Sequence, residues 1–147
     1  MRGFSPKLPL SRDKVDGYRL TKTPREVIKQ NFKNLVLTSP GERIMLPEFG
    51  VGLRRYLFEP QNTVVMRDIR GRIQDQVSQY MPYIKVNEVR FYAGASTETG
   101  PNRQIISLDE FNFDFSQKEN MLQIFISYTV TSFNLEDELS LRFEEGK

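Results

Sequence analysis

The sequence predicts an α+β fold, with two amphipathic helices packed on a mainly antiparallel β-sheet and an extended N-terminal arm in front. Three observations carry that prediction. Apolar residues recur every three or four positions in two stretches before Pro82, and every second position in stretches after it. The helical stretches come first and the alternating ones after, an order typical of α+β layouts. A connector between the helices, residues 35–60, holds three glycines and three prolines, so it must adopt one defined shape. At 147 residues the chain is read as residues 1–22, the arm, and residues 23–147, a single domain with its own core.

The arm is rich in Pro, Lys and Arg and shows no periodicity, which predicts an extended segment that orders against a partner. Thr23-Pro24-Arg25-Glu26 then reads as a helix start, with Thr23 as cap, Pro24 in the first turn and Glu26 completing a capping box. Val27, Ile28, Phe32, Leu35 and Val36 share one face, so the helix is predicted from about residue 24 to 37. Ser39-Pro40-Gly41-Glu42 reads as a type II turn, Arg43 to Leu46 as a short extended piece, and Leu53 to Phe58 as a short helical turn ended by Glu59-Pro60. The second long helix starts near Thr63, carries Met66, Ile69, Ile73, Val77 and Tyr80 on its apolar stripe, and stops at Pro82. Strands are expected at Ile84–Tyr92, Ile105–Phe115, Leu122–Val130 and around Leu139, Leu141 and Phe143, with a bulge or break between Leu108 and Phe111.

Composition excludes much chemistry. Cysteine and histidine are both absent, which removes disulfides, thiolate metal sites, and the Ser-His and Cys-His nucleophile pairs. No apolar run approaches the roughly 20 residues of a membrane span, and the N-terminus lacks a signal-peptide h-region. A protein that stays in the cytosol, or is assembled from it, is expected. Charge is uneven: residues 1–33 carry a net +6 and residues 98–147 a net −6. That asymmetry is either ordinary solvated surface or head-to-tail complementarity between neighbouring subunits.

Glu42, Glu48 and Glu59 are the carboxylates a glycosidase reading would use. Each sits in the turn-rich connector beside Pro or Arg, where capping and ion pairing are simpler roles. Arg43, Arg54 and Arg55 are suited to pinning carboxylates or carbonyls; internal pairing is favoured for Arg43 and a partner interface for Arg54 and Arg55. Phe49 and Phe58 are read as local core. Gly50-Val51-Gly52 lacks the third glycine and the lysine of a phosphate loop, so its glycines are conformational. The basic arm with Arg67, Arg70 and Arg72 permits a nucleic-acid reading, disfavoured because acidic residues interleave on the helix. No cofactor and no small-molecule substrate are expected.

The connector resembles the small, lysozyme-like baseplate wedge proteins of contractile phage tails, a family with relatives in type VI secretion baseplates and tail-like bacteriocins. Leu37-Thr38-Ser39-Pro40-Gly41-Glu42-Arg43, then Pro47-Glu48-Phe49-Gly50-Val51-Gly52-Leu53, then Leu57-Phe58-Glu59-Pro60 carry the resemblance. It continues through the second helix to a strand of the form Ile84-x-Val86-x-x-Val89. One departure stands out: many members carry Glu-Pro-Arg where this chain has Met81-Pro82-Tyr83. The resemblance implies a non-enzymatic virion component of the tail baseplate, assembled in the host cytoplasm. Its implied partners are larger baseplate wedge subunits, the tail sheath protein through strand addition, and tube or hub-proximal proteins, with no membrane. Residues expected at partner interfaces are Glu42, Arg43, Glu48, Arg54, Arg55, Glu59 and Pro82, together with Glu136, Leu139, Leu141 and Phe143 on a C-terminal edge strand guarded by acidic residues. The alternative is a carboxylate-based peptidoglycan hydrolase.

Overall fold

The structure is a computed structural model that describes residues 3–15, 17–59, 63–93, 105–106 and 121–144. Along the chain come four two-residue strands, β1 (Ser5–Pro6), β2 (Arg12–Asp13), β3 (Gly17–Tyr18) and β4 (Leu20–Thr21). Helix α1 (Pro24–Leu37), a 3-10 helix (Leu53–Phe58) and helix α2 (Thr63–Tyr80) follow. Strands β5 (Ile84–Ala93), β6 (Ile105–Ile106), β7 (Met121–Val130) and β8 (Leu135–Glu144) complete the fold.

Helix α1 starts with the reciprocal cap its sequence implies. The Thr23 hydroxyl accepts from the Glu26 amide at 3.3 Å, and the Glu26 carboxylate accepts from the Lys22 amide at 2.9 Å and the Thr23 amide at 3.4 Å. Those backbone donors hold the Glu26 carboxyl below its usual pKa. The helix buries Phe32, Leu35 and Val36, while α2 buries Met66, Ile69, Ile73, Gln76 and Val77. Met81-Pro82-Tyr83 then turns the chain into β5. Met81 is buried and Tyr83 packs on the core, so apolar contact holds this turn, with Pro82 exposed at its apex.

The main sheet has the order β6-β5-β7-β8, antiparallel throughout. One face of it, with Ile84, Val89, Phe91, Ile124, Ile126, Tyr128, Val130, Leu139 and Leu141, joins the helices in a single core. Phe32 of α1 meets the Tyr128 ring edge-on, centroids 4.9 Å apart. The register of β5 against β7 shifts between Val86 and Glu88, which leaves Asn87 as the extra residue of a β-bulge. This explains the spacing Ile84-x-Val86-x-x-Val89: the bulge resets the pleat, so core-facing side chains lie on both sides of a phase slip. The β7–β8 turn is tied down by Thr131, whose amide and hydroxyl both donate to the Tyr83 carbonyl, at 2.9 and 3.1 Å.

Two local expectations change. Arg43 to Leu46 is not extended. It forms a turn, with the Leu46 amide donating to the Arg43 carbonyl at 3.2 Å, because the enclosing loop is drawn shut by a 2.7 Å bond from the Gly41 amide to the Pro47 carbonyl. The N-terminal arm carries structure of its own: β1 pairs with β4 and β2 with β3, both antiparallel. Of the predicted strand 105–115, residues 105–106 pair with β5. The rest of it, with the bulge or break expected between Leu108 and Phe111, lies outside the described residues.

Candidate partner-binding site: a clamped connector and an open strand edge

The connector is held at both of its ends and in its middle. Its first turn is the type II turn read from Ser39-Pro40-Gly41-Glu42: the Glu42 amide donates to the Ser39 carbonyl at 3.1 Å, and Gly41 has φ +91°. The returning chain docks on the end of α1 through bonds from the Val51 amide to the Leu35 carbonyl (3.1 Å) and the Gly52 amide to the Thr38 carbonyl (2.9 Å). Gly50 is obligatory there. Its φ is +111°, and a Cβ on it would lie 2.1 Å from the Thr38 carbonyl oxygen.

From the other side, Gln76 of α2 reads the same backbone. Its Oε1 accepts from the Gly50 amide at 2.7 Å and its Nε2 donates to the Glu48 carbonyl at 3.1 Å. One buried side-chain amide therefore satisfies one donor and one acceptor of a connector whose Val51, Leu53 and Tyr56 are buried in the core. The Tyr56 hydroxyl closes the far end. It donates to Asp68 of α2 and accepts from the Arg55 guanidinium at 2.7 Å. Burial, then the Asp68 bond, raises the Tyr56 pKa, so the phenol stays protonated at neutral pH.

This clamped loop presents an apolar tip. Ile44 is 94% and Met45 90% exposed. Of the carboxylates and arginines singled out in the connector, Glu42, Arg43 and Arg55 take separate partners. Glu42, Glu48 and Glu59 are all exposed; Glu42 accepts from the Ser39 amide at 3.0 Å, so it caps its own turn. Arg43 lies over the Phe49 ring, 3.9 Å from its centroid, in place of the internal carboxylate partner expected for it. Arg55 stacks on Tyr56 with 4.7 Å to the ring centroid, and Arg54 is exposed. Among the described residues no ion pair joins these three arginines to Glu42, Glu48 or Glu59. Phe49 packs at the margin of the core, edge-on to Tyr80; the Phe58 side chain lies outside what is described.

Strand β8 forms the second surface. It pairs with β7 from Met121↔Glu144 to Val130↔Leu135 and ends the sheet order, so its other edge has no neighbour among the described strands. Leu139 and Leu141 face the core, Glu136 and Glu138 are exposed, and Phe143 pairs through its backbone with Leu122. What the strand offers a partner is therefore backbone and carboxylate, with its leucines already spent on the core. Asp137 pins the start of the strand to α1. Its carboxylate takes two bonds from Arg25, at 2.9 and 3.0 Å, one from Lys29 at 3.3 Å and one from the Tyr128 hydroxyl at 3.3 Å. The Arg25 bonds hold the Asp137 carboxyl far below the usual aspartate range, against an opposing push from burial.

Gln76 was not singled out in the sequence, and Asp137 was read there only as one of the acidic residues guarding the edge, whereas its side chain is buried against Arg25 and Lys29 of α1. Gln76 had a signal: it falls seven residues after Ile69 and three after Ile73, so it is a polar residue inside an apolar stripe. The pairing of Asp137 had none, since its cations lie 108 and 112 residues away.

The described residues form an α+β fold with a clamped connector that ends in an apolar tip and a sheet whose last strand carries exposed carboxylates. Among the described residues no acidic cluster could hold a metal ion, and no helix is long and apolar enough to cross a membrane. The chain belongs to the baseplate wedge protein gp25 family, whose model matches residues 22–134. Its fold is similar to that of a Geobacter sulfurreducens protein provisionally described as a tail lysozyme, with TM-score 0.60 and 22% identity over 88% of this chain and 97% of that one. It is also similar to a chain of the six-fold symmetrised baseplate of the anti-feeding prophage, with TM-score 0.52 and 23% identity over 68% of this chain and 78% of that one. No curated protein matches the chain.

Proposed function

We propose that this protein is a baseplate component of a contractile tail, in a phage or a phage-derived injection machine, that joins the inner wedge through its connector and seeds the sheath through the free edge of β8. Membership of the baseplate wedge family supports the baseplate role. The observation that supports the finer reading is the position of β8: last in the sheet, held in register by β7, and without a neighbour on its other edge among the described strands, where an incoming strand could pair. Glu136 and Glu138 keep that edge from pairing indiscriminately and favour a partner strand with basic flanks. The connector supplies the other contact. Arg54 and Arg55 have no carboxylate partner among the described residues, and Ile44 and Met45 form an anchor whose backbone is already ordered, so binding it costs little conformational entropy. Larger wedge subunits would take this surface, the sheath protein the β8 edge, and tube or hub-proximal proteins lie within reach of such a site. The protein's place is the virion baseplate, reached from the host cytoplasm.

A hydrolase is the poorer reading. A glycosidase acid needs an apolar setting that raises its pKa, and Glu42, Glu48 and Glu59 all face water. Zymography of the purified protein beside Glu48→Gln tests this, and clearing by the wild type that the variant loses would establish an enzyme. The wedge role is tested with Arg54→Ala combined with Arg55→Ala. The fold should persist while incorporation into baseplates falls, and normal incorporation would remove the proposed contact.

A further inference from the structure

We infer that the free protein pairs with a second copy of itself across a two-fold axis, the N-terminal hairpin of each copy lying on the β7–β8 turn and β8 of the other. The hairpin is ordered yet mostly uncovered. Besides its paired strands, the Lys7 amide donates to the Arg19 carbonyl at 2.8 Å and the Arg19 amide to the Ser11 carbonyl at 2.9 Å. Gln30 of α1 fastens it, accepting from the Leu8 amide and donating to the Pro6 carbonyl, both at 2.9 Å. Even so Phe4, Leu10 and Val15 are 66%, 62% and 86% exposed, and Leu8 and Tyr18 are also exposed. A two-stranded hairpin has no second layer in which to bury such side chains, so a surface must come from elsewhere.

Charge says which surface. Lys7, Arg12, Lys14 and Arg19 stand against Asp13 on the described hairpin, so the apolar patch sits in a cationic field. The chain carries its counterpart. Phe133, exposed in the β7–β8 turn, is followed at once by exposed Glu136 and Glu138 on β8. Both patches spring from one corner of the molecule. Strand β4 leads through Lys22 and Thr23 into α1, whose Arg25 and Lys29 hold Asp137, between Glu136 and Glu138. A cationic apolar patch beside an anionic apolar patch becomes self-complementary under a two-fold rotation, because each then faces its opposite. Aliphatic side chains such as Leu8, Leu10 and Val15 make no contact with phosphates, which favours a protein surface over nucleic acid. The pairing also covers β8 before assembly, which suits an edge that must not aggregate.

Sedimentation equilibrium of the full chain tests this, at low salt and again at about 1 M, where the Debye length falls to about 3 Å. A dimer is expected at low salt, weakened at least tenfold at high salt. Lys7→Glu with Arg12→Glu and Lys14→Glu should be monomeric, as should Glu136→Lys with Glu138→Lys, both with unchanged circular dichroism. An equimolar mixture of the two should dimerise, since every reversed charge then meets its opposite. Leu10→Ser with Val15→Ser, which alters no charge, should also be monomeric. A monomeric wild type, a charge-reversed mixture that stays monomeric, or a wild type that binds duplex DNA without self-associating would each overturn the proposal.

Discussion

The side-chain carbonyl of Gln76 accepts the Gly50 amide at 2.7 Å, and so fixes the middle of the connector to helix α2. Gln76 is only 9% exposed, and its own amide nitrogen is engaged by the Glu48 carbonyl. Gln76→Ala strips both bonds and leaves a buried amide without an acceptor. A loss of about 1–3 kcal/mol is expected in urea unfolding. The same variant should lose hydrogen-exchange protection at Gly50 while the β7 amides stay protected.

Glycine substitutions should have opposite signs at two sites. Gly50→Ala places a methyl 2.1 Å from the Thr38 carbonyl oxygen at φ +111°, and should cost more than about 3 kcal/mol or prevent folding. Gly71 lies inside α2 with nothing within 4 Å of an added Cβ, so Gly71→Ala should stabilise by about 0.5–1 kcal/mol. Thermal melts of the two proteins compare them directly.

The Asp137 pin predicts a defined acid response. The Arg25 bonds lower its carboxyl pKa in the folded chain, whereas an unfolded aspartate titrates near about 3.9. The stabilisation is therefore fully present above that value and is lost as pH falls through and below it. Asp137→Asn should lower Tm at neutral pH, with the deficit constant from about pH 8 to 5 and shrinking below about pH 4. Arg25 is half-exposed and re-solvates readily, so the loss should be modest, about 1–2 kcal/mol.

Deleting Asn87 tests the bulge. Without it, Ile84, Val86, Val89 and Phe91 fall at alternate positions and pair with Val130, Tyr128, Ile126 and Ile124 in one unbroken register. The deletion should therefore still unfold cooperatively, and its loss of a cooperative transition in urea would contradict this register; Asn87→Ala, which loses its 2.8 Å bond to Thr129, should remain folded and be destabilised by about 1 kcal/mol or less.

What the sequence revealed was local. The Thr23 capping box, the Pro40-Gly41 turn, the 3-10 turn at Leu53–Phe58 and the alternation of β7 each depend on residues a few positions apart, and each stands where it was read. The tip at Ile44 and Met45 was misread as extended, since three successive apolar residues suit a strand until the Gly41–Pro47 bond closes the loop around them. The arm gave no sign of pairing because its strands are two residues long and rest on Gln30. The site residues divide the same way. Glu42 could be recognised as a local cap, but Arg43's choice of Phe49 and the grip of Gln76 depend on chain segments brought together only by folding.

The central claim is that this chain serves as a docking part, with the edge of β8 as the start point for the sheath. Electron microscopy of tails made without the protein, and again with Glu136→Lys combined with Glu138→Lys supplied in trans, tests it most directly. The account predicts baseplates and tubes without sheath in the first case and sharply reduced sheathing in the second. Full-length, normally sheathed tails in the absence of the protein would contradict it.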